Sequence, residues 1–141
     1  MTNGKFRFET VLNLYRTQED ALRQEILSIE RERREARQEL ERLVRRRREL
    51  QQELACPDLG CETGTVLQYL EALLVRIQEM RAKESLLQRR AAERREVLQK
   101  IRRERMRYGK LKENHDRQAE RFERSLEQKV TDEFAQRRNP V

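Results

Sequence analysis

The thiols and the imidazole of this sequence, the groups that most readily bind zinc or act as nucleophiles near neutral pH, are Cys56, Cys61 and the lone histidine, His115. Two thiols and one distant imidazole fall short of a four-ligand zinc site within one chain. A disulfide across the short Cys56–Cys61 step would be a single bridge, not the framework of a secreted protein. The two cysteines therefore read as reduced thiols in a flexible loop. Carboxylates are abundant, but they read as surface charges at helical spacing, and a lone carboxylate in water has no reason for a shifted pKa. Gly60 and Gly64 form a Gly-x-x-x-Gly step without the lysine and preceding strand of a phosphate loop. No serine or cysteine nucleophile has a histidine near it in sequence. The expectation is a chain that is not an enzyme and takes neither cofactor nor small-molecule substrate.

A second kind of chemistry is electrostatic. The net charge is +7, and its densest block, residues 89–112, holds 11 basic against 3 acidic residues. Arg102, Arg103, Arg105, Arg107, Lys110 and Lys112 could track phosphates along a helix. Only Tyr108 interleaves with them, so base stacking is poorly supported. A zipper with a basic arm carries its block at one end of an uninterrupted coil, whereas this block lies mid-arm. Nucleic acid is thus disfavoured, and the block reads as the solvated exterior of a coil.

The elements that must carry these groups follow from composition and spacing. Hydrophobic residues make up 35% and charged residues 42%, with no tryptophan. Such a chain cannot fill a thick core, and it is either disordered or a long helix with one apolar seam. The spacing decides for the helix. Phe8, Leu12, Tyr15, Glu19, Leu22, Ile26, Ile29, Arg33, Ala36, Leu40, Leu43, Arg47, Leu50 and Leu54 alternate steps of four and three, and eleven of the fourteen are apolar. The pattern resumes as Val66, Leu70, Leu73, Ile77, Met80, Glu84, Leu87, Ala91, Arg94, Leu98, Ile101, Arg105 and Tyr108, ten of thirteen apolar. A repeat averaging 3.5 residues keeps one stripe on one side of a slightly underwound helix, the condition for a left-handed coiled coil. Between the two runs, residues 55–65 contain Pro57, Gly60 and Gly64, which stop helices.

The predicted fold is therefore all-α: an antiparallel two-helix coiled-coil hairpin in one domain, residues 1–141. Helix one is expected over about 5–54, the bend over 55–65 and helix two over about 66–136. At 1.5 Å per residue the arms would be about 70 Å and about 100 Å long. Facing residues then have numbers that add to about 120. This register puts Arg33 near Glu84 and Glu19 near Arg105, giving polar seam positions opposite charges. It leaves Arg47 and Arg94 without partners, to snorkel to water. The seam falters at Lys112 and His115, beside Gly109, through which the helix is expected to run. From about residue 112 helix two outreaches its partner. That overhang carries Ala119, Phe122, Leu126, Val130 and Phe134, an uncovered apolar stripe suited to docking. No run of 18 apolar residues spans a membrane, and the first residues lack a signal-peptide segment, so the cytosol is expected.

The two ends carry a resemblance. The stretch Lys5-Phe6-Arg7-Phe8-Glu9-Thr10-Val11-Leu12-Asn13-Leu14-Tyr15-Arg16 resembles the opening of the flagellar FliJ family, a Phe-x-Phe or Phe-x-Leu element followed by Val-Leu and a basic residue. The tail Glu127-Gln128-Lys129-Val130-Thr131-Asp132-Glu133-Phe134-Ala135-Gln136-Arg137-Arg138 is similar to that family's end, an acidic pair followed by basic residues. The resemblance implies a cytoplasmic part of the flagellar type III export apparatus, serving motility. It would be a coiled-coil stalk at the hexameric export ATPase FliI that promotes its assembly and activity. It would also contact the export gate FlhA and bind export chaperones, and associate with the membrane only peripherally, through the apparatus. On this reading Phe122, Leu126, Val130 and Phe134 meet the ATPase ring, with Arg121, Arg124, Arg137 and Arg138 facing acidic loops. Tyr69 and Leu74, off the seam near the bend, are the candidates for the gate. The competing readings are a needle-type secretion stalk of the same plan, and a generic coiled-coil scaffold.

Overall fold

In a computed structural model, which describes residues 5–55 and 63–138, the chain forms two helices and, among those residues, no strand. Helix α1 spans Glu9–Ala55 (47 residues) and helix α2 spans Thr63–Arg138 (76 residues). They pack antiparallel, so the fold is the expected hairpin with a longer second helix. The expectations for Cys56, Pro57, Gly60 and Cys61 lie outside the described residues.

The helix ends differ from the sequence reading. Gly64 does not stop a helix; it lies in the first turn of α2, where a residue without a side chain is tolerated because few intrahelical bonds depend on it. Helix α1 begins at Glu9 instead of Lys5. The Glu9 amide donates to the Phe6 carbonyl (3.2 Å), closing a turn, and the Leu12 amide donates to the Phe8 carbonyl (2.9 Å), which starts the helix. The turn frees the Phe6 ring to pack on His115 (centroids 5.6 Å) and edge-on to Phe8 (5.8 Å). Aromatic burial here outweighs one more turn of helix.

The chain divides into two compact units, residues 21–98 and residues 5–20 with 99–138. In the first, Leu43, Leu50, Leu73, Ile77 and Met80 form one buried cluster, flanked by half-buried Leu40, Val44, Val66 and Leu70. Ile29, Ala36, Leu87 and Ala91 form a second. Every α1 seam position is buried or half-buried, and so is every α2 seam position except Arg94. Arg94 is not left to water alone, as expected; its Nε meets Glu25 Oε1 at 3.0 Å. Glu84 takes its closest cation from Arg37 (2.6 Å), while Arg33 approaches only to 3.8 Å, too far for a hydrogen bond.

In the second unit, Tyr15 stacks on Tyr108 (5.7 Å), which also meets Phe8 (5.6 Å). Buried Glu19 accepts from Arg102 Nε (3.3 Å) and lies against Arg105 Nε, the pairing expected from the register. Because both arginines are partly exposed, screening reduces the value of this buried carboxylate. Glu19→Gln should cost about 1–2 kcal/mol in chemical unfolding. Glu25→Gln, at an exposed pair, should cost under about 0.5 kcal/mol.

Helix α2 runs through Gly109, as expected. A Cβ built there meets nothing within 4 Å, so no packing inside the chain demands glycine. Gly109→Ala should raise stability by about 0.5–1 kcal/mol, measured by thermal unfolding.

Candidate functional site

The exposed end of α2 starts later than the sequence suggests. Lys112 is still paired, its Nζ 3.5 Å from Glu9 Oε1, His115 is covered by Phe6, and Ala119 is half-buried. The residues ahead of α1 extend the paired region past Lys112. From Glu120 to Arg138 every residue is exposed.

Within that end, Phe122 (54% exposed), Leu126 (46%), Val130 (55%) and Phe134 (67%) repeat every four residues. At about 100° per residue they stay within about 60° of half-buried Ala119 around the helix. The stripe is thus the seam carried past its partner. Arg137 falls on the same line. Arg121 and Arg124, by contrast, lie on the opposite side of the helix, about 160° and about 140° away, and Arg138 lies about 100° to one side. The arrangement groups the four apolar side chains with Arg137 and separates them from the other three arginines. Five acidic and five basic residues make residues 120–138 neutral overall, so apolar contact rather than net charge distinguishes this surface.

The two candidates near the bend also separate. Tyr69 and Leu74 are both exposed, but five residues along a helix put about 140° between them, on opposite edges of the seam. Tyr69 lies beside Arg46, whose pKa is held above its ordinary value first by the bond to Glu49 and then by Tyr69. On the same edge, the Arg42 guanidinium bonds to Glu39 and holds its carboxyl below the usual range. Leu74 has no place in that group. Sequence reasoning missed the aromatic group of Phe6, Phe8, Tyr15, Tyr108 and His115; the signal was there, since Phe6 and His115 are register partners. Among the described residues no group of His, Cys, Asp and Glu is placed to hold a metal ion, and no helix is long and apolar enough to cross a membrane.

A hairpin with this seam and a projecting C-terminal helix is the plan that the two chain ends suggested. Comparison with protein families bears on it directly: the family described as Flagellar FliJ protein matches residues 4–139, nearly the whole chain. The chain belongs to the FliJ family. It is accordingly a coiled-coil component of the flagellar protein export apparatus. No curated protein and no solved structure matches it. In this FliJ-family chain both quoted ends lie inside the matched region: the Phe6–Phe8 turn opens the hairpin, and residues 127–138 form the last exposed turns of α2.

Proposed function

We propose that this FliJ-family protein is a non-enzymatic stalk that docks its exposed α2 end into the hexameric export ATPase FliI and promotes its activity. It works at the cytoplasmic face of the inner membrane and also meets the export gate FlhA and export chaperones. The observation that carries this reading is the seam-aligned stripe Phe122–Leu126–Val130–Phe134, exposed along the last turns of α2. A ring lumen lined with apolar loops would cover it as α1 covers the seam below. Arg137 can meet an acidic loop from the same side, whereas Arg121 and Arg124 would need loops reaching round the helix. Tyr69 is the candidate for the gate, and Leu74 would need a separate contact.

Truncation after Ala119 tests the reading. The shortened protein should keep its helical hairpin by circular dichroism and fail to bind or stimulate the purified ATPase. Stimulation at the level of the full chain would refute docking through the α2 end.

A further inference from the structure

On one edge of the 21–98 unit, Leu40 and Val44 form the floor of a groove bounded by Arg45 and Arg48 on α1 and by Arg81 across from them on α2; Glu41 also lines it. Some arginines of this unit meet carboxylates, Arg37 with Glu84, Arg42 with Glu39, Arg46 with Glu49 and Arg76 with Glu79, while others, Arg31, Arg34, Arg89 and Arg90 among them, form no ion pair with a described residue. Among the described residues Arg45, Arg48 and Arg81 have no such partner. Three exposed guanidinium groups outside ion-pair distance of a described carboxylate, with Glu41 beside them, thus surround a half-buried apolar floor.

We propose that this groove binds an acidic amphipathic helix of a partner protein, which lays its apolar face on Leu40 and Val44 and sets carboxylates against Arg45, Arg48 and Arg81. Three features select this occupant. Two antiparallel helices leave a shallow trough along their junction, and a third helix with anchors at i, i+3, i+4 and i+7 fits such a trough. Arg45 and Arg48 are one turn apart, so carboxylates one turn apart on a facing helix reach both, and a guanidinium takes a carboxylate with two parallel hydrogen bonds. Glu41 stands among the arginines and repels a continuous polyanion such as a phosphate backbone or an anionic lipid surface. A helix accommodates it by placing a lysine or a small residue there. This groove is built from residues 40–81, none of which belongs to the exposed α2 end, and the proposal does not rest on the ATPase reading.

The test uses the full chain and fluorescence anisotropy at physiological salt with four probes. These are a labelled helical peptide with leucines at i, i+3, i+4 and i+7 flanked by glutamates, the same peptide with lysines for glutamates, a duplex DNA, and phosphatidylglycerol vesicles. The acidic peptide should bind at least about tenfold tighter than its lysine counterpart. Arg45→Glu/Arg48→Glu should weaken the acidic peptide at least about tenfold, and Arg81→Glu, on the other helix, should weaken it independently. Arg42→Ala/Arg46→Ala, on the other edge, should leave it unchanged. All substituted arginines are exposed, and circular dichroism checks that the helices persist. Failure of the acidic peptide to bind overturns the proposal, as does equal binding of the two peptides. So does binding of DNA or vesicles that falls with the Arg45/Arg48 variant as much as peptide binding does.

Discussion

Ile77→Ala should destabilise the hairpin by about 2–5 kcal/mol, read as a lowered midpoint in urea with helix content as the signal. Ile77 is fully buried (0% exposed) in the cluster with Leu43, Leu50, Leu73 and Met80. The loss has two parts, the transfer free energy of the deleted carbons and the cavity they leave. In a layered domain, neighbours from several directions relax into such a cavity. Here the seam is one side chain deep on each helix, and solvent lies beyond. Total stabilities of about 5–15 kcal/mol make this a large fraction of what holds the arms together. Val75→Ala, two residues away but 54% exposed, should change stability by less than about 0.5 kcal/mol. A cost below about 1 kcal/mol for Ile77→Ala would mean that the arms are not held by this seam.

The seam was legible because a coiled coil is the fold whose tertiary contacts are most directly a repeat in sequence. Steps of four and three from Phe8 to Leu54 mark residues that the structure buries or half-buries without exception. The same register placed Glu19 against Arg105 from opposite halves of the chain. It fell short where side-chain reach matters more than backbone position. It put Arg33 near Glu84, and the two do pair at 3.8 Å, but a guanidinium on a long stem chooses among carboxylates within a turn, so Arg37 comes closer to Glu84 (2.6 Å) and Arg94, expected to lack a partner, meets Glu25. It fell short again at the ends of the helices. There no repeat exists: α1 starts at Glu9 behind a turn whose Phe6 ring meets His115, and continuous exposure of α2 begins only at Glu120. The candidate site was half legible for a related reason. Apolar residues four apart share a face, so the stripe could be read directly. Arg121 and Arg124 stand beside Phe122 and Leu126 in sequence, yet neighbours along a helix point in different directions, and those arginines lie behind the stripe.

That separation makes the second large effect specific to one face. Phe122→Glu/Leu126→Glu should weaken binding to the export ATPase at least about 100-fold, measured by titration with the purified hexamer. Burying two large apolar side chains is worth about 1.5–3 kcal/mol each, and a carboxylate in their place adds the penalty of an unpaired charge. Both side chains are exposed in the free chain, so thermal unfolding of the hairpin should shift little. Arg121→Ala/Arg124→Ala should cost less than about tenfold and mainly flatten the salt dependence, since exposed ion pairs are weak and screened. Arg137→Ala, in line with the stripe, should lie between the two. The ranking matters more than any single value. If the Arg121/Arg124 pair cost more than the Phe122/Leu126 pair, α2 would dock through its charged side, and the apolar stripe would be free to pair with a second copy of the chain.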